Sequence, residues 1–344
     1  MADQEASGDR IQPEQIGVVL IGRNEGERLR QCLDAVPGFV GRVVYVDSGS
    51  SDDSVALARS RDVEVVELDL STPFTAARAR NAGFARLRRE APGIRAIQFI
   101  DGDCSLVPGW IEAAAEALSE SPCRAAVCGW RRERFPEASI FNRFCDLEWK
   151  APPVGDVGPF GFGGDVMIRV PAFESAGGYD EGLIAGEDPD LSARLRFAGH
   201  EVIRIDRDMT LHDADMHSLR QWWTRSVRGG HAVAELAWRY RDEGLFARHL
   251  RSLLIWGILL PAFFLSSPVF FGVSFWKAWL VITTLYGLQI LRIARSQDPA
   301  RFDRKEALLW GLSCVGSQLP TAIGALTFAW SRLRGRRREL IEYK

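Results

Sequence analysis

Among its six cysteines, at positions 32, 104, 123, 128, 145 and 314, the chain has no Cys-x-x-Cys pair and no spacing that fits a zinc site. That excludes a disulfide or zinc framework as the source of its stability and points to free thiols in a reducing compartment. There is no internal repeat and no low-complexity tract, which excludes solenoids and fibrous arrays. Residues 1–15 are polar and acidic, without a basic n-region or an apolar h-region, so the sequence predicts no secretory signal, a disordered N-terminus and a body that stays in the cytosol. Acidic residues are scarce only at the other end. Residues 1–250 hold 30 Lys and Arg against 40 Asp and Glu, whereas residues 251–344 hold 13 against 5. The acidic body predicts no nucleic-acid partner, and the overall net charge of -2 conceals a basic tail.

Within the body, short β-branched apolar runs alternate with stretches of helical spacing. Residues 16–22 and 42–47 read as strands buried on both faces of a parallel sheet, with 63–68 and 96–100 as the third and fourth. Helices are predicted over 25–36, 54–60, 75–89 and 110–118. This is an α/β pattern, in which ligands bind beyond the carboxyl ends of the strands. Polar clusters stand at those ends: Arg23-Asn24-Glu25, Asp47-Ser48-Gly49-Ser50 and Asp101-Gly102-Asp103. Further on, the spacing predicts strands over 127–134, 166–169 and 202–205, a Gly/Pro-rich loop over 152–164, and helices over 172–177, 188–198 and 218–240.

Asp101-Gly102-Asp103 carries the most chemistry. Two carboxylates one residue apart at a strand terminus can share a hard divalent cation and leave coordination positions open for the phosphates of a substrate, so Mg²⁺ or Mn²⁺ is the expected cofactor. A nucleotidyltransferase is disfavoured, because Ile21-Gly22-Arg23-Asn24 lacks a Gly-rich phosphate loop after the first strand.

In these motifs the chain resembles the family 2 glycosyltransferases of the GT-A fold, a Rossmann-like mixed sheet flanked by helices. The resemblance covers residues 16–240. It rests on Arg23-Asn24-Glu25, on Asp47-Ser48-Gly49-Ser50-Ser51-Asp52 (with Ser48 where Asp is more usual), on Ala79-Arg80-Asn81-Ala82-Gly83, on Asp101-Gly102-Asp103 and on Gly186-Glu187-Asp188-Pro189-Asp190. The resemblance implies donor contacts from Arg23, Asn24, Glu25, Asp47, Arg80 and Asp101, with Asp47 at the nucleobase and Arg80 at the diphosphate. It implies metal ligation by Asp103, with Asp101 and His212 as further candidates, and catalysis by Asp188 as the base supported by Glu187. Gly164, Asp165, Asp190 and Trp222 are expected on the acceptor side. Arg225 and Arg228, three apart on one helical face, are expected at the leaving diphosphate. Residues 221–228 differ in order from the Gln-x-x-Arg-Trp signature of processive synthases, which argues against polymer extrusion.

The tail, 241–344, reads as a helical membrane region. Residues 252–291 carry one charge, Lys277, and suit a hairpin. The uncharged tract 307–330 has basic residues on both flanks, which a single crossing cannot reconcile with the positive-inside rule, so an interfacial or re-entrant course is expected ahead of a basic C-terminal tail. The combined expectation is inverting, non-processive transfer of a sugar from a nucleotide diphospho-sugar to a lipid or lipid-linked acceptor at the cytoplasmic membrane. The alternative is a catalytically silent GT-A-like membrane subunit that binds a nucleotide-sugar or a partner.

Overall fold

The computed structural model describes residues 10–335. The disorder expected of 1–9 and the basic tail at 336–344 concern residues outside the described ones.

The apolar runs form the predicted strands. β1 (Ile16–Gly22), β2 (Arg42–Asp47), β3 (Glu64–Glu67) and β4 (Ala96–Asp101) are all parallel, with β1 between β2 and β4. β1 is buried along its length up to Ile21, as a strand covered on both faces must be. Helices α1 (Glu27–Asp34), α2 (Ser54–Ser60) and α3 (Ala76–Glu90) provide the crossovers. Thr75 caps α3 by accepting the Arg78 N–H, which satisfies one of the donors a helix start leaves open. The core between these layers is aliphatic and aromatic, including Leu20, Val44, Ile97, Phe99 and Phe173. One polar pair is sealed inside it, where Trp110 Nε1 donates to Gln98 Oε1 at 2.8 Å.

The remaining strands widen this sheet to nine in the order β3-β2-β1-β4-β8-β6-β9-β5, with β7 (Gly155–Asp156) also on β9. β6 (Arg124–Glu133) follows α4 (Trp110–Ser119), and β8 (Val166–Arg169) runs antiparallel to both β4 and β6. β5 (Cys104–Leu106) is a strand the sequence reading lacked, since three residues give no periodicity. β9 (Glu201–His212) is 12 residues long, where a strand over 202–205 was expected. Its middle, Ile205 to Asp208, is largely exposed and charged, and its pairing with β6 contains register shifts, so no clean alternation marks it.

The described chain divides into two compact units. Residues up to Phe135 and Pro152–Ala214 make the first; Pro136–Ala151 and Asp215 onward make the second. A boundary near residue 240 was expected, but the division falls at 214/215. Helix α5 (Ile140–Lys150), absent from the sequence reading, belongs to the second unit. The first unit also holds α6 (Val170–Ser175) and α7 (Glu187–Phe197). Residues 10–15 are not disordered as expected: Ile11 is buried in the core, its N–H donates to Ser119 Oγ, and a short helical turn spans Pro13–Gln15.

The second unit is helical: α8 (Leu219–Arg239), α9 (Ala247–Phe271), α10 (Phe275–Arg295), α11 (Arg304–Gly316) and α12 (Gln318–Leu333). By length and composition, two stretches could cross a membrane: Ala247–Phe271, of mean hydropathy 2.0, and Arg304–Leu333, of 1.2. α5 joins this unit through ion pairs and rings. Glu306 accepts from Arg143 at 2.9 Å and Lys150 at 2.6 Å, and the Trp222 ring of α8 lies 5.8 Å from that of Phe144.

Candidate active site

The sheet sets a row of polar groups along one edge. Gly22 pairs with Asp47 and Ile21 with Asp101, so β1, β2 and β4 end level and their outgoing loops start side by side. This is the switch point of the sheet, where β1 has neighbours that connect in opposite directions. Asn24 adopts a left-handed conformation, φ 56°, one of the few non-glycine residues that tolerate it. Its N–H donates to Ser50 Oγ and its Oδ1 accepts from Ser51 N at 2.7 Å, tying the two loops together. Arg23 is exposed beside it, and Glu25 pairs with Arg28 at 3.0 Å.

Asp47 is buried and internally engaged. Its carboxylate accepts from Tyr45 Oη at 3.1 Å and from the Gly49 and Ser50 N–H groups at 3.0 and 2.8 Å. Three of about four acceptor positions are thereby filled. The carboxylate expected at a nucleobase thus also shapes the 47–50 turn and keeps one acceptor position.

Beyond β4 the chain turns at Gly102 and enters β5, which pairs antiparallel with β9 so that Cys104 faces His212. This pairing brings Asp103 to His212, with Oδ2 3.4 Å from Nε2. On the other side β6 places Glu133 opposite His212, and Glu133 Oε2 lies 3.7 Å from Nδ1. Burial pushes His212 below the usual imidazole range, although Glu133 pulls the other way, so the ring is neutral at pH 7. Among the described residues, ligand atoms of Asp103, Cys104 and His212 lie within 4.8 Å of one another, as do those of Asp101, Cys104 and Asp165. Burial raises the Cys104 thiol well above its ordinary value, so it stays protonated, and a soft sulfur ill suits a hard cation. Carboxylate oxygen and neutral imidazole nitrogen make Asp103 and His212 the pair whose chemistry fits Mn²⁺ or Mg²⁺.

Arg80 occupies the centre. Its guanidinium is buried and donates to Asp101 Oδ1 at 2.8 Å and Glu187 Oε1 at 3.0 Å, with Asp188 Oδ1 at 3.7 Å. The fork expected to face a diphosphate meets three carboxylates here, while its Nε is buried without a hydrogen bond. Arg131, part-buried, is a second cation at the site, 3.3 Å from Asp101 and 2.9 Å from Asp165. Burial alone would raise Asp101, but Arg80 and Arg131 outweigh it and hold the carboxyl at about 2. Both Asp101 oxygens are thus paired with guanidiniums.

α7 begins at Gly186, whose φ of 86° turns Glu187 and Asp188 inward. Asp188 Oδ1 is buried without a hydrogen bond. Burial lifts the Asp188 carboxyl to about 7; Arg80 opposes the rise, and Glu187 and Asp101 add to it. The Gly-rich loop closes on this helix. A side chain at Gly161 would stand 3.0 Å from the Asp188 backbone, and one at Gly164, φ 97°, would meet Asp101 Oδ2 at 2.9 Å and Arg80 Nη2 at 3.1 Å. Only glycine fits there.

The residues expected on the acceptor side are largely buried. Asp165 has no exposed surface and accepts from Asp101 N at 3.0 Å, Thr210 Oγ1 at 2.7 Å and Arg131. Asp190 is equally buried and pairs with Arg194 at 2.8 Å. Both hold the scaffold. Trp222, in the second unit, packs on Phe141 and Phe144, and Arg225 pairs with Glu148 at 2.5 Å. Arg228 lies on the same helix. Glu133, Arg131 and Thr210 were missed. Arg131 and Glu133 sit in the charged run Arg131-Arg132-Glu133-Arg134, which reads as surface, yet their two-residue spacing is the mark of one strand face.

Comparison with known proteins agrees with this architecture. Residues 18–153 match the model of glycosyl transferase family 2. A pre-mycofactocin glycosyltransferase of Mycobacterium tuberculosis is 29% identical over 323 residues, which takes in 90% of this chain and 64% of that protein. The glycosyltransferase AglE of Haloferax volcanii is 24% identical over 207 residues, covering 54% of this chain and 63% of the relative. The chain thus spans a little under two thirds of the length of these relatives. Among solved structures, the mannosyltransferase PcManGT from Pyrobaculum calidifontis, in complex with GDP-Man and Mn²⁺, superposes with a TM-score of 0.63 at 15% identity, over 94% of this chain and 89% of that one. S. aureus TarS 1-349 gives 0.50 at 12% identity, over 93% and 92%. Five motifs in order and the family-model match identify residues 18–153 as a glycosyl transferase family 2 domain, and the sheet with its polar edge at the switch point is that of a GT-A fold.

Proposed function

We propose that the protein transfers a sugar from a nucleotide diphospho-sugar to a lipid or lipid-linked acceptor, with inversion at the anomeric carbon, at the cytoplasmic face of a membrane. The observation that carries the reading is Asp188: a buried carboxyl poised near neutral pH at the start of α7. A general base is most effective when its pKa lies near the working pH. Asp188 takes the proton of the acceptor hydroxyl as that oxygen bonds to the anomeric carbon, and the bond to the diphosphate breaks on the opposite side. Glu187 and Arg80 keep Asp188 in place, and Asp101 accepts a hydroxyl of the ribose or sugar. Asp103 and His212 would hold Mn²⁺ or Mg²⁺, whose charge would neutralise the departing diphosphate. Arg23, Asn24 and Glu25 border the donor. The apolar helices of the second unit and their basic flanks support membrane attachment. The relatives include a mannosyltransferase solved with GDP-Man and Mn²⁺, which favours a nucleoside diphosphate donor.

A thermal-shift screen of nucleotide-sugars with and without Mn²⁺ tests this reading. One UDP- or GDP-sugar should stabilise the protein only when metal is present, by about 2.7 kcal/mol at 100 times its Kd. Asp103→Ala should lose that response. Stabilisation without turnover on any lipid acceptor would favour the silent subunit.

Glu133 should matter to the metal through His212. Its oxygens accept from Phe135 N and Ala214 N at 3.1 Å each, which fixes the carboxylate under the Nδ1 edge of the ring. A proton held on Nδ1 leaves the Nε2 lone pair turned to Asp103. Glu133→Gln should weaken Mn²⁺ binding by about 10–100-fold in a calorimetric titration of the donor-free protein. Unchanged affinity would mean that Glu133 serves the backbone alone.

A further inference from the structure

The helix pair α11–α12 is long enough to cross a bilayer, yet its surroundings within the second unit suit a different course. α12 runs alongside α8 in the same direction, turn by turn. Gly316 meets the Trp222 ring, and a Cβ at Gly324 would fall 2.0 Å from the Val227 carbonyl oxygen, one at Gly230 1.8 Å from that of Thr321. Further along, the His231 and Phe328 rings are 5.3 Å apart and Arg332 stands 4.3 Å from the Trp238 ring. α8 carries Arg220, Arg225, Arg228, Glu235 and Arg239, charges too costly to line up across hydrocarbon. A helix in register with α8 over its whole length stays at the depth of α8.

The face of α11–α12 turned away from these contacts is apolar. Leu312, Leu319, Leu326 and Leu333 recur every seven residues and are 50%, 47%, 49% and 83% exposed, with Leu308 and Trp330 on the same stripe. Between Lys305 and Arg332 no exposed residue is charged or polar. The charged and polar residues of that stretch, Glu306, Ser313, Ser317, Gln318, Thr321, Thr327 and Ser331, are covered to some degree. This is the reverse of a helix that faces water. Cations close both ends: Arg304 and Lys305 at the start, and at the finish Arg332 and Arg334, the latter 4.1 Å from the Trp330 ring. A long apolar stripe with basic ends, continuous in the chain with the exposed apolar hairpin of α9 and α10, matches an anionic lipid surface.

We propose that α11–α12 lies in the plane of the membrane interface with its leucine stripe against the acyl chains, backed by α8, and that only the hairpin of α9 and α10 enters the bilayer. The proposal rests on the membrane attachment proposed above, which flotation of the full-length chain with phosphatidylglycerol-containing liposomes tests separately.

The test places single cysteines at Leu312, Leu319, Leu326 and Leu333, each labelled with a fluorophore, in full-length protein with the exposed Cys123 and the part-buried Cys314 changed to Ser. Quenching by lipids that carry spin labels at known depths then reads the position of each site. Successive sites are about 10 Å apart along a helix. An interfacial helix gives four similar depths in one leaflet. Depths that step across the bilayer overturn the proposal in favour of a span. Labels that no lipid quenches overturn it in favour of a protein partner or a second copy of the chain on the stripe.

Discussion

Asp188→Asn is expected to lower kcat by about 10²–10⁴-fold, the range a positioned general base contributes, while the donor affinity measured with Mn²⁺ stays within a few-fold of the parent. The substitution keeps the shape and removes the proton acceptor. The pH profile gives a second, independent check. In the free enzyme the base is competent only when ionised, so kcat/KM should rise with pH and level off above about 7, where the Asp188 carboxyl loses its proton. A profile already flat at pH 5 would remove Asp188 from the role. Stability moves in the opposite sense. The folded-state value is raised from 3.8 to about 7, so the contribution of the neutral carboxyl is fully present below about pH 4 and is lost as pH rises through 7. Activity therefore grows over the same window in which this residue ceases to stabilise the fold.

Arg80→Ala is expected to destabilise the first unit by about 3–5 kcal/mol, the cost of removing one partner from a buried ion cluster. Asp101, Glu187 and Asp188 all face the guanidinium, and no neighbouring group can replace a charge that is 3% exposed. Arg131 would remain against Asp101 and Asp165, so the strand end at Asp101 is held better than the start of α7. Against a total stability of about 5–15 kcal/mol this is a large share, visible as a lower urea midpoint. Arg80→Lys should recover only part of it, since an ammonium cannot reproduce the planar fork that meets two carboxylates at 2.8 and 3.0 Å. A midpoint change worth less than about 1 kcal/mol would show that the cluster relaxes around the gap.

The parts of the fold written in local pattern were the parts legible in the sequence. β1, β2 and β4 are continuous apolar runs, and the residues at their exits, Asn24, Asp47 and Asp101, do stand on one edge. Three things were not local. β5 has three residues and exists only because β9 pairs with it, and β9 reaches His212 through a stretch with no alternation. The burial of Asp165 and Asp190 depends on what covers them, which spacing cannot reveal. The ion cluster around Arg80 could not be read locally because its three carboxylates come from positions 101, 187 and 188, far from it in sequence. Asp103 and His212, expected as metal ligands, do lie side by side, but Glu133, on the Nδ1 edge of the ring, was hidden in a run of charges.

Helix α5 bears on how the protein can be cut. It lies between β6 and β7 in the chain, inside the sequence of the sugar-transfer domain, yet its partners are Trp222, Arg225 and Glu306. Leu147, with no exposed surface, packs with Phe302 and Ala307. A fragment ending at residue 214 or 240 would therefore keep α5 and discard Phe302, Ala307 and Glu306, leaving an orphaned apolar patch on the piece meant to be soluble. Removing residues 136–151 together with everything after 214 is the excision that respects the packing. It needs a short linker from Phe135 to Pro152, a redesign of the chain path where a stop codon would ordinarily be tried first.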